Sequence, residues 1–205
     1  MLSSMSTFPT PAASHGTAGD SAQRLMDAAI DAFADKGFHA TSTRDIAARA
    51  NMSPAGVYVH FASKQDLLFQ LCRRGHLLAL EIVTSARDSA NTPATQLVAI
   101  VSAFASWHAQ QFRLARIVHY EYSRLTTEHR VVVRDLRKQI DCVVREVLQA
   151  GVTSGEFDVP DLAVTTRALQ SLTVDVARWY HPAIRRTPDA IGAEYGDLAL
   201  RLVRA

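Results

Sequence analysis

The chain is poor in cysteine, glycine and proline and carries little excess charge of either sign. Its two cysteines, Cys72 and Cys142, are far apart with no Cys-x-x-Cys spacing. That excludes a disulfide scaffold and a cysteine zinc site, and it fits a reducing compartment. Nine glycines and seven prolines in 205 residues exclude collagen-like and low-complexity classes. Lys and Arg outnumber Asp and Glu by only 22 to 20, so no bulk basic field points to nucleic acid. No apolar run approaches the roughly 18 residues of a membrane span, so no membrane partner and a cytoplasmic location are expected. Met1–Asp20 has no Lys or Arg and no apolar block, so it lacks both marks of a secretory signal. Its Ser, Thr, Pro and Ala content predicts a disordered tail over residues 1–20. A Gly-rich phosphate loop, a local Ser/His/Asp signature and supported paired carboxylates are also missing, so no enzyme and no cofactor are expected. What the chain does hold is apolar residues, 48% against 20% charged, enough to bury a core.

From Ser21 onward the hydrophobic period is helical. Leu25, Ala29 and Phe33 recur every four residues and Gly37 follows as a stop, which predicts a first helix over Ser21–Lys36. Thr41–Thr43 supplies capping hydroxyls for a short helix, Arg44–Ala50, and Ser53-Pro54 opens another. Ser63 caps a longer one over Lys64–Arg87. After Asn91-Thr92-Pro93, helices are expected over Pro93–Phe112, Leu114–Leu125 and Glu128–Ala150. Gly151–Pro160 reads as a loop, followed by helices over Asp161–Tyr180 and from Pro188 to the end. No segment alternates at period two, so the fold class is all-α.

The stretch from Thr41 to Leu68 carries the most information. Two short helices joined by a tight turn are not stable alone and must pack on their neighbours. Ile46, Ala47, Val57 and Phe61 are placed to face inward, and small Ala47 and Ala50 allow a close crossing. This is a helix-turn-helix pattern, whose second helix enters a DNA major groove. Its outer face would be Pro54, Ala55, Gly56, Tyr58, Val59 and His60. Small residues at its start permit approach to base edges, and Tyr58 and His60 reach toward phosphates. Ser53 caps it. Thr43 and Arg44 start the preceding helix, where they can hold the flanking backbone. Lys64, at the start of the next helix, is placed to meet a phosphate. The first 80 residues hold seven basic side chains and six acidic ones, so binding would rest on placement rather than on field. Arg44 and Tyr58 are the best candidates for base contact. Asp27, Asp31 and Asp35 recur along one side of the first helix, which places that side away from DNA.

Thr43, Ile46, Ala47, Ala50, Met52, Ser53, Tyr58, His60, Phe61, Ser63, Lys64 and Leu67 stand in the order of the TetR family signature, which the chain resembles. Asn51 departs from it where glycine is usual, and Asn tolerates the left-handed turn conformation. The resemblance implies an N-terminal three-helix helix-turn-helix domain (21–68), joined by the fourth helix to a C-terminal bundle (69–205) that dimerises and binds a small molecule. It also implies a homodimer on a palindromic double-stranded DNA operator, released by its effector. A helical small-molecule-binding protein or an activator of the same fold is the alternative.

Trp107, His108, Phe112, His119, Tyr120, Tyr122, Arg178 and Trp179 are the candidate effector contacts, though the same residues also describe an ordinary bundle core. His108, His119 and Glu121 match no standard metal spacing, so no metal is expected. Glu121–Leu125, Arg134–Gln139, Gly151–Phe157 and Val176–Pro182 are similar to a TetR subgroup that controls lipid or sterol catabolism and responds to acyl-CoA thioesters. That resemblance implies an apolar tunnel with cations at its mouth, for which Arg113, Arg116, Arg124, Arg134, Arg137 and Lys138 are available. Dimer contacts are expected from the last two helices, through Val164, Ala168, Leu172, Trp179, Tyr195, Leu198 and Leu202.

Overall fold

The computed structural model describes residues 18–204, which form nine α-helices and one 3-10 turn. The helices are α1 (Ala18–Ala40), α2 (Thr43–Arg49), α3 (Pro54–His60), α4 (Lys64–Asp88), α5 (Pro93–Gln110), α6 (Phe112–Tyr120), α7 (Thr127–Ser154), α8 (Leu162–Trp179) and α9 (Pro188–Val203); the 3-10 turn is Tyr122–Arg124. Residues 1–17 of the expected tail lie outside the described residues, and Ala18–Asp20 already belong to α1. Gly37, at φ 76° and ψ 163°, interrupts α1 where the sequence places its stop.

Two expected boundaries move. The single helix over Leu114–Leu125 is replaced by α6 and the 3-10 turn, separated at Glu121 (φ −95°, ψ 1°). The expected loop at Gly151 is helical, because α7 continues to Ser154 and stops only at left-handed Gly155 (φ 78°). Gly151 is there for space: a Cβ on it would collide with the Phe157 ring packed over it.

The apolar residues form two large clusters and a small third one around Ala105, Ala109, Val176, Tyr180 and Ile191. In the first, Leu25, Phe33, Ile46, Val57, Leu67 and Leu71 from α1–α4 pack with Leu114, Ile117 and Val118 of α6 and with Leu125 and Val133. This cluster therefore crosses the sequence boundary expected at residue 68. Each such fully buried side chain contributes about 2 kcal/mol of transfer free energy. In the second, α4, α5, α7, α8 and α9 share a core around Val83, Leu97, Ile100, Val147, Leu148 and Leu169. α9 lies along α5 at close range: a Cβ on Gly192 would sit 2.5 Å from the Ser102 carbonyl oxygen. Among the described residues no helix is long and apolar enough to cross a membrane.

Candidate nucleic-acid interface and effector pocket

The helix-turn-helix is assembled by caps. Ser42 Oγ accepts from the Asp45 amide at 3.1 Å while Asp45 Oδ2 accepts from the Ser42 amide at 2.8 Å, a reciprocal pair that starts α2. The Ser42 hydroxyl and amide, helped by Lys36, hold the Asp45 carboxyl down at about 2. The turn is closed by the Met52 amide donating to the Ala47 carbonyl at 2.9 Å, with Asn51 at φ 54°. Asn51 is the only non-glycine residue with positive φ among the described residues. It takes the place of the usual glycine with the turn intact. Ser53 Oγ accepts from the Gly56 amide at 3.1 Å and Pro54 occupies the first turn of α3. Buried Ile46, Ala47 and Val57 fix α2 against α3.

The outer face of α3 is free. Pro54 and Ala55 are exposed, Gly56 and His60 half-buried, Tyr58 56% exposed and Val59 78% exposed. The Thr43 and Tyr58 hydroxyls lie 3.3 Å apart, so two expected contacts from different helices meet at one point, with Arg44 exposed beside them.

Lys64 is a correction. Its ammonium does not face outward. It donates to the carbonyls of Phe38 and Thr41, each at 2.7 Å, and lies 4.4 Å from the centre of the Phe38 ring. Unpaired carbonyls at the end of α1 attract it more closely than solvent would, and it ties the α1–α2 corner to α4. The aspartates of α1 also have partners: Asp35 receives Arg49 and Arg113, both at or under 2.9 Å, and Asp31 lies 3.4 Å from Arg113. Their face is turned to α2 and α6.

Inside the effector half lies a cavity of about 270 Å³ between α4, α5, α6, α7 and α8. Three of the expected effector contacts, Trp107, His108 and His119, are on its lining. The other five are not. Phe112 packs on Tyr180 and under the Arg116 guanidinium, which closes the end of α8 by donating to the carbonyls of Ala177, Arg178 and Tyr180. Tyr120 is 60% exposed, and Tyr122 lies beneath Arg137 in the N-terminal cluster. Arg178 pairs with Asp175, and Trp179 packs with Tyr195.

His76 and Gln170 are lining residues that sequence reasoning did not single out, and Arg137, one of the six cations available for the mouth of a tunnel, is on the lining too. A signal existed for Arg137. It falls four residues after Val133 and three before Ile140, on the flank of the buried stripe of α7. His76 Nδ1–H donates to the Cys72 carbonyl at 2.7 Å, and its Nε2 accepts from Arg137 Nε at 3.0 Å. His108 Nδ1–H donates to the Phe104 carbonyl at 2.8 Å. Burial lowers the pKa of His76 to about 4, of His108 to about 3 and of His119 to about 4, so all three are neutral bases near pH 7. Cys72, also buried, is pushed up to about 12 and is no nucleophile.

Comparison with known proteins agrees with both halves. Residues 25–71 match the family described as bacterial regulatory proteins, tetR family, and residues 90–203 match the tetracyclin repressor-like C-terminal domain. The HTH-type transcriptional repressor KstR2 of Mycobacterium tuberculosis is 33% identical over 182 residues, covering 86% of this chain and 89% of that protein. A solved tetR-family regulatory protein from Rhodococcus RHA1 superposes with a TM-score of 0.85 at 37% identity, over 90% of this chain and 97% of that one. The structure of AibR in complex with isovaleryl coenzyme A and operator DNA shares the fold, with a TM-score of 0.79 at 23% identity over 87% of this chain and 97% of that one. An exposed recognition helix on a capped helix-turn-helix, a cavity in the following bundle and these matches along both halves make the chain a member of the TetR family of transcriptional regulators.

Proposed function

We propose that the protein is a dimeric repressor that binds a palindromic operator in the cytoplasm and is released by an acyl-CoA thioester. The exposed face of α3 carries the DNA half of this reading. In it, Pro54, Ala55 and Gly56 let the helix approach base edges, Ser53 fixes its first turn, and Thr43, Arg44, Tyr58 and His60 contact backbone and bases. Residues 21–68 do the reading, and residues 69–205 bind effector and pair the subunits. Pairing through α8 and α9 is supported by one exposed apolar strip, Val164, Ala168 and Leu172 with Leu198 and Leu202. Half-buried Trp179 and Tyr195 lie at its edge. A symmetric pair would set two α3 helices about 34–36 Å apart, one turn of duplex.

The effector reading is supported by a chamber of mixed apolar and polar walls, too small for a whole coenzyme but roomy enough for an acyl group, with exposed Arg167 on its lining. A protein of the same fold holds isovaleryl coenzyme A. α6 contributes Ala115, Val118 and His119 to the chamber and Arg113 to the aspartates of α1, so a shift of α6 on filling reaches the reading head. Such coupling amounts to about 1–3 kcal/mol in typical cases.

The test is selection of duplexes from a random pool, followed by anisotropy titrations of the winner. A palindromic site should emerge. Tyr58→Ala should weaken binding by about 1–3 kcal/mol and flatten the salt dependence, with helicity unchanged. Acyl-CoA should release the complex. Unaltered affinity and salt slope in Tyr58→Ala would remove α3 from the interface.

A further inference from the structure

The chamber is not lined as a hydrocarbon slot would be. Arg137, half-buried on its α7 wall, has no carboxylate within ion-pair distance among the described residues. Its guanidinium is aimed by two neighbours. Nε donates to His76 Nε2 at 3.0 Å, and the plane stands 4.2 Å from the centre of the Tyr122 ring. His76 is itself fixed by the Cys72 carbonyl. With Nε engaged, the two terminal nitrogens remain as an unused donor fork. Across the chamber on α8, Gln170 Nε2 is buried without any hydrogen-bond partner. A buried orphan amide is costly in an empty site and an unused guanidinium fork stands open to a partner, and the same thing serves both. That thing is an oxygen acceptor supplied by the occupant. The other polar groups on the lining include neutral His108 and His119, Ser171, Arg167 and the carboxylate of Asp141. None of them is hydrogen-bonded to Gln170 Nε2 or to the terminal nitrogens of Arg137 among the described residues, and Asp141, one turn along α7, acts on Arg137 only through its charge at longer range.

We propose that the moiety seated in the chamber carries its own oxygen acceptor, a ketone or carboxylate beyond the thioester, received by Arg137 and Gln170. His76 is the positioning residue for Arg137. This rests on the acyl-CoA reading and narrows it: a plain saturated acyl chain would leave both donors unpaired.

Calorimetric titration of the full-length chain tests it with three CoA thioesters of equal chain length: unmodified, ω-oxo and ω-carboxy. The matching free oxo-acid and dicarboxylic acid are run in parallel. An oxygenated thioester should bind roughly tenfold or more tightly than the unmodified one, the scale of one charge-assisted hydrogen bond. The oxo and carboxy arms tell the two sources apart. Arg137→Met and Gln170→Leu should each erase most of that preference, read within each variant as the ratio of its affinities for the oxygenated and the unmodified thioester. His76→Leu should lower the preference in the same way, which a purely structural loss would not do. Equal or tighter binding of the unmodified thioester overturns the proposal and leaves the effector reading standing. Binding of the free oxygenated acids but of no thioester overturns the effector reading and keeps the oxygen site. No binding by any of the five compounds overturns both.

Discussion

At the scale of single residues, three imidazoles make the chamber sensitive to acid. His76, His108 and His119 are held neutral by burial, at about 4, 3 and 4. In the unfolded chain they titrate near 6.5. Between those values the unfolded state binds more protons, so stability is fully present above about pH 6.5 and falls as pH drops toward 4. The slope is at most about 1.4 kcal/mol per pH unit for each histidine. Urea unfolding at several pH values across this window should show the loss, and His108→Phe should lessen it. An unchanged slope in His108→Phe would mean that this imidazole does not resist protonation. Asp45, at about 2, loses its contribution only in stronger acid and does not obscure the effect. The turn at Asn51 and the cap at Ser53 were legible because a helix-turn-helix packs its signature into neighbouring residues. Lys64 was misread because its carbonyl partners, Phe38 and Thr41, stand 26 and 23 residues earlier and meet it only through the tertiary fold.

At the scale of elements, caps wrote most helix starts into the sequence. Ser42, Ser53, Ser63, Thr92, Thr126, Asp161 and Thr187 each accept from an amide in the first turn that follows. Ends were harder, as Gly151 demonstrates, because a glycine chosen for space looks the same as one chosen for a turn. The same holds for Gly192 and Gly196, one helical turn apart on α9. Ser102 lies against both, its backbone carbonyl facing Gly192 and its hydroxyl facing Gly196. Backbone cannot rotate aside, whereas a serine side chain can. Gly192→Ala should therefore cost about 1–3 kcal/mol, and Gly196→Ala less. Thermal or urea unfolding of the two variants gives the ranking. A neutral Gly192→Ala would show that α9 can lift from α5 without penalty. The chamber was only partly legible for a related reason. Aromatic residues pack cores as readily as they line pockets, and Phe112, Tyr122 and Trp179 do the former, while Gln170 looks like any helix-surface polar residue and Arg137 stood undistinguished among six available cations.

At the scale of the whole molecule, the apolar strip on α8 and α9 is left uncovered by the other described residues. Val164 is 60% exposed and Leu202 53%, on helices whose other faces are buried. Replacing Leu198 and Leu202 together by Glu should convert a pair of chains into single ones, read as a halved mass by light scattering, with helicity retained. If the native protein has the mass of one chain at working concentration, the strip has another use.

The contribution of α6 to the N-terminal cluster has a consequence for any attempt to divide the protein. Leu114, Ile117 and Val118 belong by position to the bundle but close the core of the reading head. A fragment severed after residue 90 would keep the whole helix-turn-helix and lose the wall those helices lean on. The head is borrowed architecture: it owns its recognition surface, but part of its rigidity is on loan from the far half of the chain.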